Sequence, residues 1–355
     1  LELSHPITGE PLVLEAPIPQ SFLRHLEGEH DPYVPAALRD ALALALERRF
    51  ALARRPGTDC HRVIHEAGDG LPRVAVDRYG EWLVVSDYGL EERELDRVLD
   101  ALGALEPRGL YLKRRPKQAN VIVDARSESF APSAPVRGEP APEILVVHEE
   151  AIPFEVRLGE GLSTGLFLDQ RGNRLRVREA ASGKRVLNLF AYTCAFGVAA
   201  ARGGARETVN VDASARLLEW GERNYVCAGL DPSGHRFVRG DVFETLEVMH
   251  RAGERFDLVC VDPPTYSRTK ASRWTSGRDW ERLALLALRV LAGGGAMLAC
   301  SNDRRIPSRV LRRSLLEAAR RAGVPVNRIR DLACPIDFPP PPGAEPHLKS
   351  LWLER

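Results

Sequence analysis

From residue 185 onward, short apolar runs alternate with longer amphipathic stretches at a regular interval. Strands are predicted near 185–190, 207–212, 235–239, 256–261 and 295–300. Helices are predicted near 194–203, 213–229, 242–252, 278–292 and 307–322. Two last strands, near 325–332 and 347–354, flank a proline-rich segment at 335–346. Uninterrupted apolar runs suit a sheet covered on both faces, and strict β/α alternation makes that sheet parallel. Upstream the pattern differs. Residues 35–55 carry Leu38, Leu42, Leu46 and Phe50 at four-residue spacing, with Arg39, Arg48 and Arg49 off the stripe, which predicts one amphipathic helix. Apolar runs at 63–65, 74–80, 82–86 and 109–112, a helix over 91–102 and a hairpin at Tyr79, Gly80 and Glu81 predict a small α+β module. Residues 126–143, rich in Pro, Ser, Ala and Gly without a period, read as a linker or exposed loop. The expected organisation is a helical extension over 1–60, an α+β module over 61–143, and a large α/β domain over 144–355. The fold class is α/β, with a doubly wound, mostly parallel, seven-stranded Rossmann-like sheet.

Composition narrows this picture only a little. A chain of 355 residues with 44% hydrophobic residues supports two domains with real cores. No apolar stretch approaches the ~18 residues of a spanning helix. The first residues lack the basic-then-apolar layout of a secretory signal. The six cysteines are scattered, with no Cys-x-x-Cys and no zinc spacing, so reduced thiols, a cytoplasmic protein and no metal are expected. The net charge of +1 favours no partner class, but nearly all the cations are Arg, whose fork suits phosphates.

The chemistry gathers at the predicted strand ends. The first large-domain strand breaks into Ala191, Tyr192, Thr193 and Cys194 and restarts as a small-residue helix, a unit that binds nucleotide-like ligands at the helix N-terminus. A dinucleotide site wants G-x-G-x-x-G, but the loop offers Ala191, Cys194 and Gly197. A phosphate-free sulfonium–nucleoside ligand, S-adenosylmethionine, fits better. Asp212 ends the second strand where a ribose diol would bind, and Asp241 follows the third where an adenine amino group would lie. Either acid could also be a helix N-cap. The fourth strand runs into Asp262-Pro263-Pro264-Thr265-Tyr266, a stiff lip with Asp262 as an acceptor and Tyr266 as a stacking face for a flipped base. The fifth ends in Cys300-Ser301-Asn302. Cys300 is either a core thiol or a nucleophile toward cytosine C6, and Asn302 is a base-edge contact.

These motifs together carry a resemblance. TGLFLDQRGNR (164–174), NLFAYT (188–193), GGARETVNVDASARLLEW (203–220) with Asn224, FDLVCVDPPTYS (256–267) and the Ser301-Asn302 strand end resemble the class I S-adenosylmethionine-dependent methyltransferases of large-subunit (23S) ribosomal RNA. The segment at 69–80, DGLPRVAVDRYG, resembles the module that precedes the catalytic domain in that group. The resemblance implies a methyltransferase sheet, S-adenosylmethionine as cofactor and large-subunit rRNA as partner. It implies that Thr164, Asp169, Arg171, Asn188, Phe190, Tyr192, Thr193, Asp212 and Asp241 serve the cofactor, and that Asp262, Tyr266 and Asn302 serve the target base. The cytosine-C5 branch places a Cys where this chain has Asn302, so guanine N7 is the expected target atom and cytosine C5 the alternative. A catalytically inactive RNA-binding protein and a small-molecule methyltransferase also stay open. Cys194, standing where the group usually has Gly, is expected to crowd the methionine end of the cofactor. RNA backbone contacts are expected from Arg304, Arg305, Arg309 and the Lys113-Arg114-Arg115 cluster.

Overall fold

The computed structural model describes residues 2–15, 30–115, 127–268 and 273–355, together with 18, 23, 24, 26 and 28; side chains at 266–268 and 273–278 are outside the description. Two sheets dominate. The smaller contains β1 (Cys60–His65), β2 (Val74–Tyr79), β3 (Trp82–Asp87), β4 (Gly109–Arg114) and β5 (Arg137–Gly138) in that spatial order. Tyr79 pairs with Trp82 across the expected hairpin. Helices α1 (Pro35–Arg48) and α2 (Glu92–Gly103) cover one face of this sheet with Leu38, Leu42, Leu95 and Leu99. A further hairpin, β6 (Leu145–Glu149) and β7 (Ile152–Val156), follows.

The larger sheet holds β8 (Arg185–Leu189), β9 (Glu207–Asp212), β10 (Arg236–Arg239), β11 (Phe256–Val261), β12 (Leu291–Ser301), β13 (Arg328–Asp331) and β14 (Lys349–Glu354). Their order is β10-β9-β8-β11-β12-β14-β13, and β14 runs antiparallel to both neighbours, so six strands are parallel. The strand order reverses between β8 and β11, the switch point at which open α/β sheets leave a crevice. Six helices complete the unit: α3 (Arg171–Ala180), α4 (Ala195–Arg202), α5 (Ala215–Cys227), α6 (Val242–Arg251), α7 (Ser276–Val290) and α8 (Ser308–Ala322). Leu187, Leu189, Val209, Val211, Val259 and Val261 are fully buried, as a sheet covered on both faces requires.

Three sequence expectations need correction. The helix predicted over 35–55 ends at Arg48, and a short helix, Phe50–Ala53, follows. A strict four-residue stripe drifts around a helix of 3.6 residues per turn. The buried face accordingly runs through Leu38, Leu42, Ala45 and Arg49, while Leu46 and Phe50 are exposed. The segment read as a linker is instead tied in, because Arg137 and Gly138 pair with Leu110 and Gly109. Its first residue, 126, lies outside the described ones. Finally, the Lys113-Arg114-Arg115 cluster is not a free cationic surface. Lys113 lies in a strand buried on both faces, and its ammonium is pushed down to about 8 by burial and then by Arg115. Arg114 forks onto Glu92 at 2.8 and 3.2 Å.

The two sheets share one continuous core rather than meeting across a loose linker. Cys60, Tyr79, Trp82 and Tyr111 pack with Val147, Phe154, Val198, Leu218 and Phe338. Polar bonds reinforce that seam. Asp337 receives Arg171 on both carboxylate oxygens, at 2.9 and 3.0 Å, and the Arg62 amide at 3.0 Å. Its carbonyl accepts from Arg49 at 2.9 Å, and Arg49 also pairs with Asp69 at 2.5 Å. Removing one member of a buried ion pair strands the other without water, a cost of about 3–5 kcal/mol. Asp337→Ala is therefore expected to lower the unfolding free energy by that order in urea titration; a change within about 0.5 kcal/mol, the usual range for surface substitutions, would contradict the seam's structural role.

Candidate functional site

A cavity of about 400 Å³ opens at the carboxyl ends of β8 to β12, within the size range of small-molecule sites. Phe190, Asp212, Asp241, Asp262 and Asn302 each stand at or just past the end of a different strand and line it. Gly165, Phe167, Asp169, Gln170 and Arg174 form the facing wall.

The β8–α4 loop owes its shape to unusual backbone. Phe190, Tyr192 and Cys194 all take left-handed conformations, with φ of 56°, 51° and 61°. Non-glycine residues rarely sit there, and three in five positions persist only because surrounding groups impose them. Those groups are identifiable. Asp212 accepts from the Tyr192 amide at 2.9 Å and from the Ser214 amide at 2.9 Å. Thr193 donates its hydroxyl to the Gly165 carbonyl at 2.6 Å. Asn224 donates to the Thr193 carbonyl at 2.9 Å while accepting from the Glu155 amide at 2.8 Å. Burial pushes the Asp212 carboxyl up, against the pull of these backbone donors.

Cys194 does not crowd the cavity. Its side chain is fully buried and turns toward α5, into a notch left by Gly221; a Cβ on Gly221 would lie 2.3 Å from the Cys194 sulfur. The cysteine is thus accommodated by a glycine on the neighbouring helix, and the expected obstruction is absent. Burial raises its thiol pKa, as for a core residue.

Asp241 caps α6, accepting from the amides of Phe243 at 2.9 Å and Glu244 at 3.3 Å. It also lines the cavity, so the capping and ligand-facing readings are compatible. Tyr192 lines the wall with its ring 5.0 Å from that of Phe167, which is 49% exposed at the mouth.

Of the residues expected at the cofactor, Asp169, Phe190, Tyr192, Thr193, Asp212 and Asp241 converge on the cavity, and Thr164, Arg171 and Asn188 stand outside its lining. Thr164 shares a hydrogen bond with the Tyr79 hydroxyl at 2.8 Å. Arg171 goes into the Asp337 ion pair instead of the cavity. Asn188 lies within the sheet and donates to Asn210, its register partner on β9, at 3.0 Å. All three hold the frame rather than the cavity surface.

At the ends of β11 and β12, Asp262, Pro263, Pro264, Thr265 and Asn302 line the cavity. Thr265 donates to the Asn302 side-chain oxygen at 2.9 Å. Burial, and then the negative Asp169, push the Asp262 carboxyl up to about 7, with a Gln170 hydrogen bond and Arg174 pulling the other way. The stacking role expected of Tyr266 falls on a side chain outside the described residues. Cys300 is fully buried and absent from the lining; its sulfur lies 3.5–3.7 Å from polar atoms of Asn173, Gln170 and Ser350. Burial, and then Asp262, raise its pKa well above the usual thiol range.

The sequence reading missed His347. Its Nε2 lies 2.9 Å from Asp169, across 178 positions of chain, and its ring packs 4.9 Å from His65 of the smaller sheet. Burial pushes the Asp169 carboxyl up, but the His347 hydrogen bond and charge outweigh it and hold it below the usual carboxylate range.

The profile of the S-adenosylmethionine-dependent methyltransferases matches residues 115–353. Ribosomal RNA large subunit methyltransferase I of Aeromonas salmonicida is 34% identical over 301 residues, covering 84% of this chain and 74% of its own length. The protein of that name from Escherichia coli is 33% identical over 299 residues, with 84% and 74% covered. Among solved structures, SMU.776 in complex with SAH superposes with a TM-score of 0.81 at 27% identity, covering 90% of this chain and 82% of that one.

Two outcomes are expected in calorimetric titration with S-adenosylmethionine. Asp212→Ala loses both the loop's anchor and an acceptor, and should weaken binding by about tenfold or more; unchanged affinity would contradict its placement. His347→Phe lets Asp169 take up a proton at higher pH than in the parent protein. Its binding deficit should therefore grow as the pH falls from 8 to 5.5, and a pH-independent deficit would contradict the coupling.

Proposed function

The chain belongs to the S-adenosylmethionine-dependent methyltransferase family and uses S-adenosylmethionine as cofactor, and from that premise we propose that it methylates a base of large-subunit ribosomal RNA, at guanine N7. The names of the curated relatives support the substrate class. The observation that carries the choice of atom is the cavity's lining: it contains carboxylate, amide and carbonyl acceptors but no thiol among the described residues.

The donor set fits the cofactor. Asp212, at the end of β9, would hold the ribose hydroxyls, and Asp241 with Val242 and Phe243 would flank the adenine. Phe190, Tyr192 and Thr193 would line the loop side, and Asp169 would face the methionine end. When bound, the cofactor supplies an electrophilic methyl group. The protein's part is to present the target nitrogen in line with it and to exclude water.

Guanine N7 carries a lone pair and no proton, so its methylation needs neither nucleophile nor general base. It needs the base held by its far edge. Asp262 would do that: as a carboxylate it would accept from the guanine N1–H and amino group, while Asn302 and the carbonyls fixed by Pro263 and Pro264 would offer further edge contacts. Phe167, aromatic and half exposed at the mouth, offers a stacking face for a base swung out of its helix. The cytosine-C5 reading needs a thiolate at C6. Cys300 is the thiol at this strand end, and its burial and surroundings disfavour both access and ionisation.

Incubation with methyl-labelled cofactor and 23S rRNA, followed by digestion to nucleosides, is expected to yield labelled 7-methylguanosine. Cys300→Ala should remain active. Labelled 5-methylcytidine, lost in Cys300→Ala, would replace this reading with the cytosine one, and absence of label from every RNA would overturn both. Because the Asp262 carboxyl is neutral below about pH 7 and charged above it, transfer should climb as pH rises through that value in the parent protein. The climb should disappear in Asp262→Asn; a profile unaltered by that substitution would remove Asp262 from the base-holding role.

A further inference from the structure

The arginines of α8 are spaced as a helical face. Arg309, Arg313 and Arg320 are exposed at positions i, i+4 and i+11, with the exposed Leu316 between them at i+7, so they fall along one stripe about 16 Å long at 1.5 Å per residue. The stripe lies over a groove of about 760 Å³ bounded on the other side by Asp331, Leu332, Glu345, Pro346 and residues 348–350. Five cations, Arg309, Arg312, Arg313, Arg320 and Lys349, line that groove against three carboxylates, Glu317, Asp331 and Glu345.

The groove lies next to the catalytic cavity. Leu348 lines both. Asn302, on the cavity rim, is followed within three residues by exposed Arg304 and Arg305, and α8 begins at Ser308. The intervening turn is pinned: Asp303 is buried, accepts the Arg305 amide and guanidinium at 2.9 Å, and gives its carbonyl to Lys349 at 2.9 Å. A line of arginines thus leads from the base-holding rim out along α8.

Some of these guanidiniums already hold carboxylates. Arg320 pairs with Glu317 at 2.6 Å and Arg304 with Glu66 at 2.5 Å. These arginines are 73% and 65% exposed, and exposed pairs contribute little, about 0–1 kcal/mol, so exchange of a carboxylate for a phosphate is cheap. Arg309 and Arg313 show no ion pair among the described residues, although carboxylates line the same groove. A membrane surface would want apolar side chains along the same stripe; Leu316 alone interrupts it.

We propose that the Arg309–Arg313–Arg320 face of α8, entered past Arg304 and Arg305, is the track that holds the phosphates of the RNA strand leading to the base at the Asp262 rim. The inference rests on the RNA reading above and adds where the strand lies. It also offers a way for a chain with a net charge of only +1 to bind a polyanion: α8, beside the site, carries five arginines against one glutamate.

The test uses the full chain and a 23S rRNA transcript. In Arg309→Ala/Arg313→Ala, KM for RNA should rise about tenfold or more with kcat little changed. The slope of log affinity against log salt should fall by about 1.4 for single-stranded contacts. S-adenosylmethionine affinity and melting temperature should match the parent protein. Arg309→Lys/Arg313→Lys keeps the charge and should restore the salt slope. An unchanged KM and slope in the alanine pair would overturn the track, as would loss of binding to ribosomal proteins with naked RNA binding intact. Binding is read independently of turnover. If the parent protein binds RNA with this slope yet methylates none, the proposed reaction falls while the track stands.

Discussion

The ion pair between Arg171 and Asp337 is the constraint on which the site depends. It is buried, bidentate, and joins the start of α3 to the proline-rich segment beside the smaller sheet. Its neighbours in sequence each face a different group. Asp169 meets His347 and the cavity, Gln170 and Asn173 meet around Cys300, and Arg174 forks onto Glu149 at 2.6 and 2.7 Å while lining the cavity. A turn so crowded with charge has no stable position unless every partner is present. The smaller sheet is therefore part of the catalytic frame: through Arg49, Arg62 and His65 it holds the partners that hold this turn.

The second constraint is the loop after β8. Three of its five residues are left-handed without being glycine, held by Asp212, the Gly165 carbonyl and Asn224. Asp212 consequently has two tasks, shaping the loop and facing the cavity from the next strand. Where a dinucleotide fold would spend glycines on close approach to a pyrophosphate, this loop keeps its side chains, and Phe190 and Tyr192 become wall.

Much of the larger sheet was legible in the sequence, because buried parallel strands and amphipathic helices leave unmistakable runs; β9 and β11 fall within the predicted bounds residue for residue. The strand-end carboxylates Asp212, Asp241 and Asp262 were legible for the same reason, since a strand end fixes where a side chain can go. What failed to show was anything set by contact between distant segments. Arg171 and Thr164 sit inside a motif that lines the cavity, yet their own side chains turn toward the smaller sheet. Asn188 reads as the approach to a loop but is bonded within the sheet. His347 follows a proline run and carries no local pattern at all. Cys194 looked like an obstruction because Gly221, the residue that receives it, lies 27 positions away.

We propose that this cavity holds a purine by its outer edge and leaves N7 to the methyl donor, with no covalent help from a thiol. Chemistry specific to 7-methylguanosine reads this directly: borohydride reduction followed by aniline cleaves an RNA chain at that nucleoside. Large-subunit rRNA treated with the protein and S-adenosylmethionine should be cut at one new position, with no cut when the cofactor is withheld. Methyl incorporation into the same RNA without a new cut would contradict the claim.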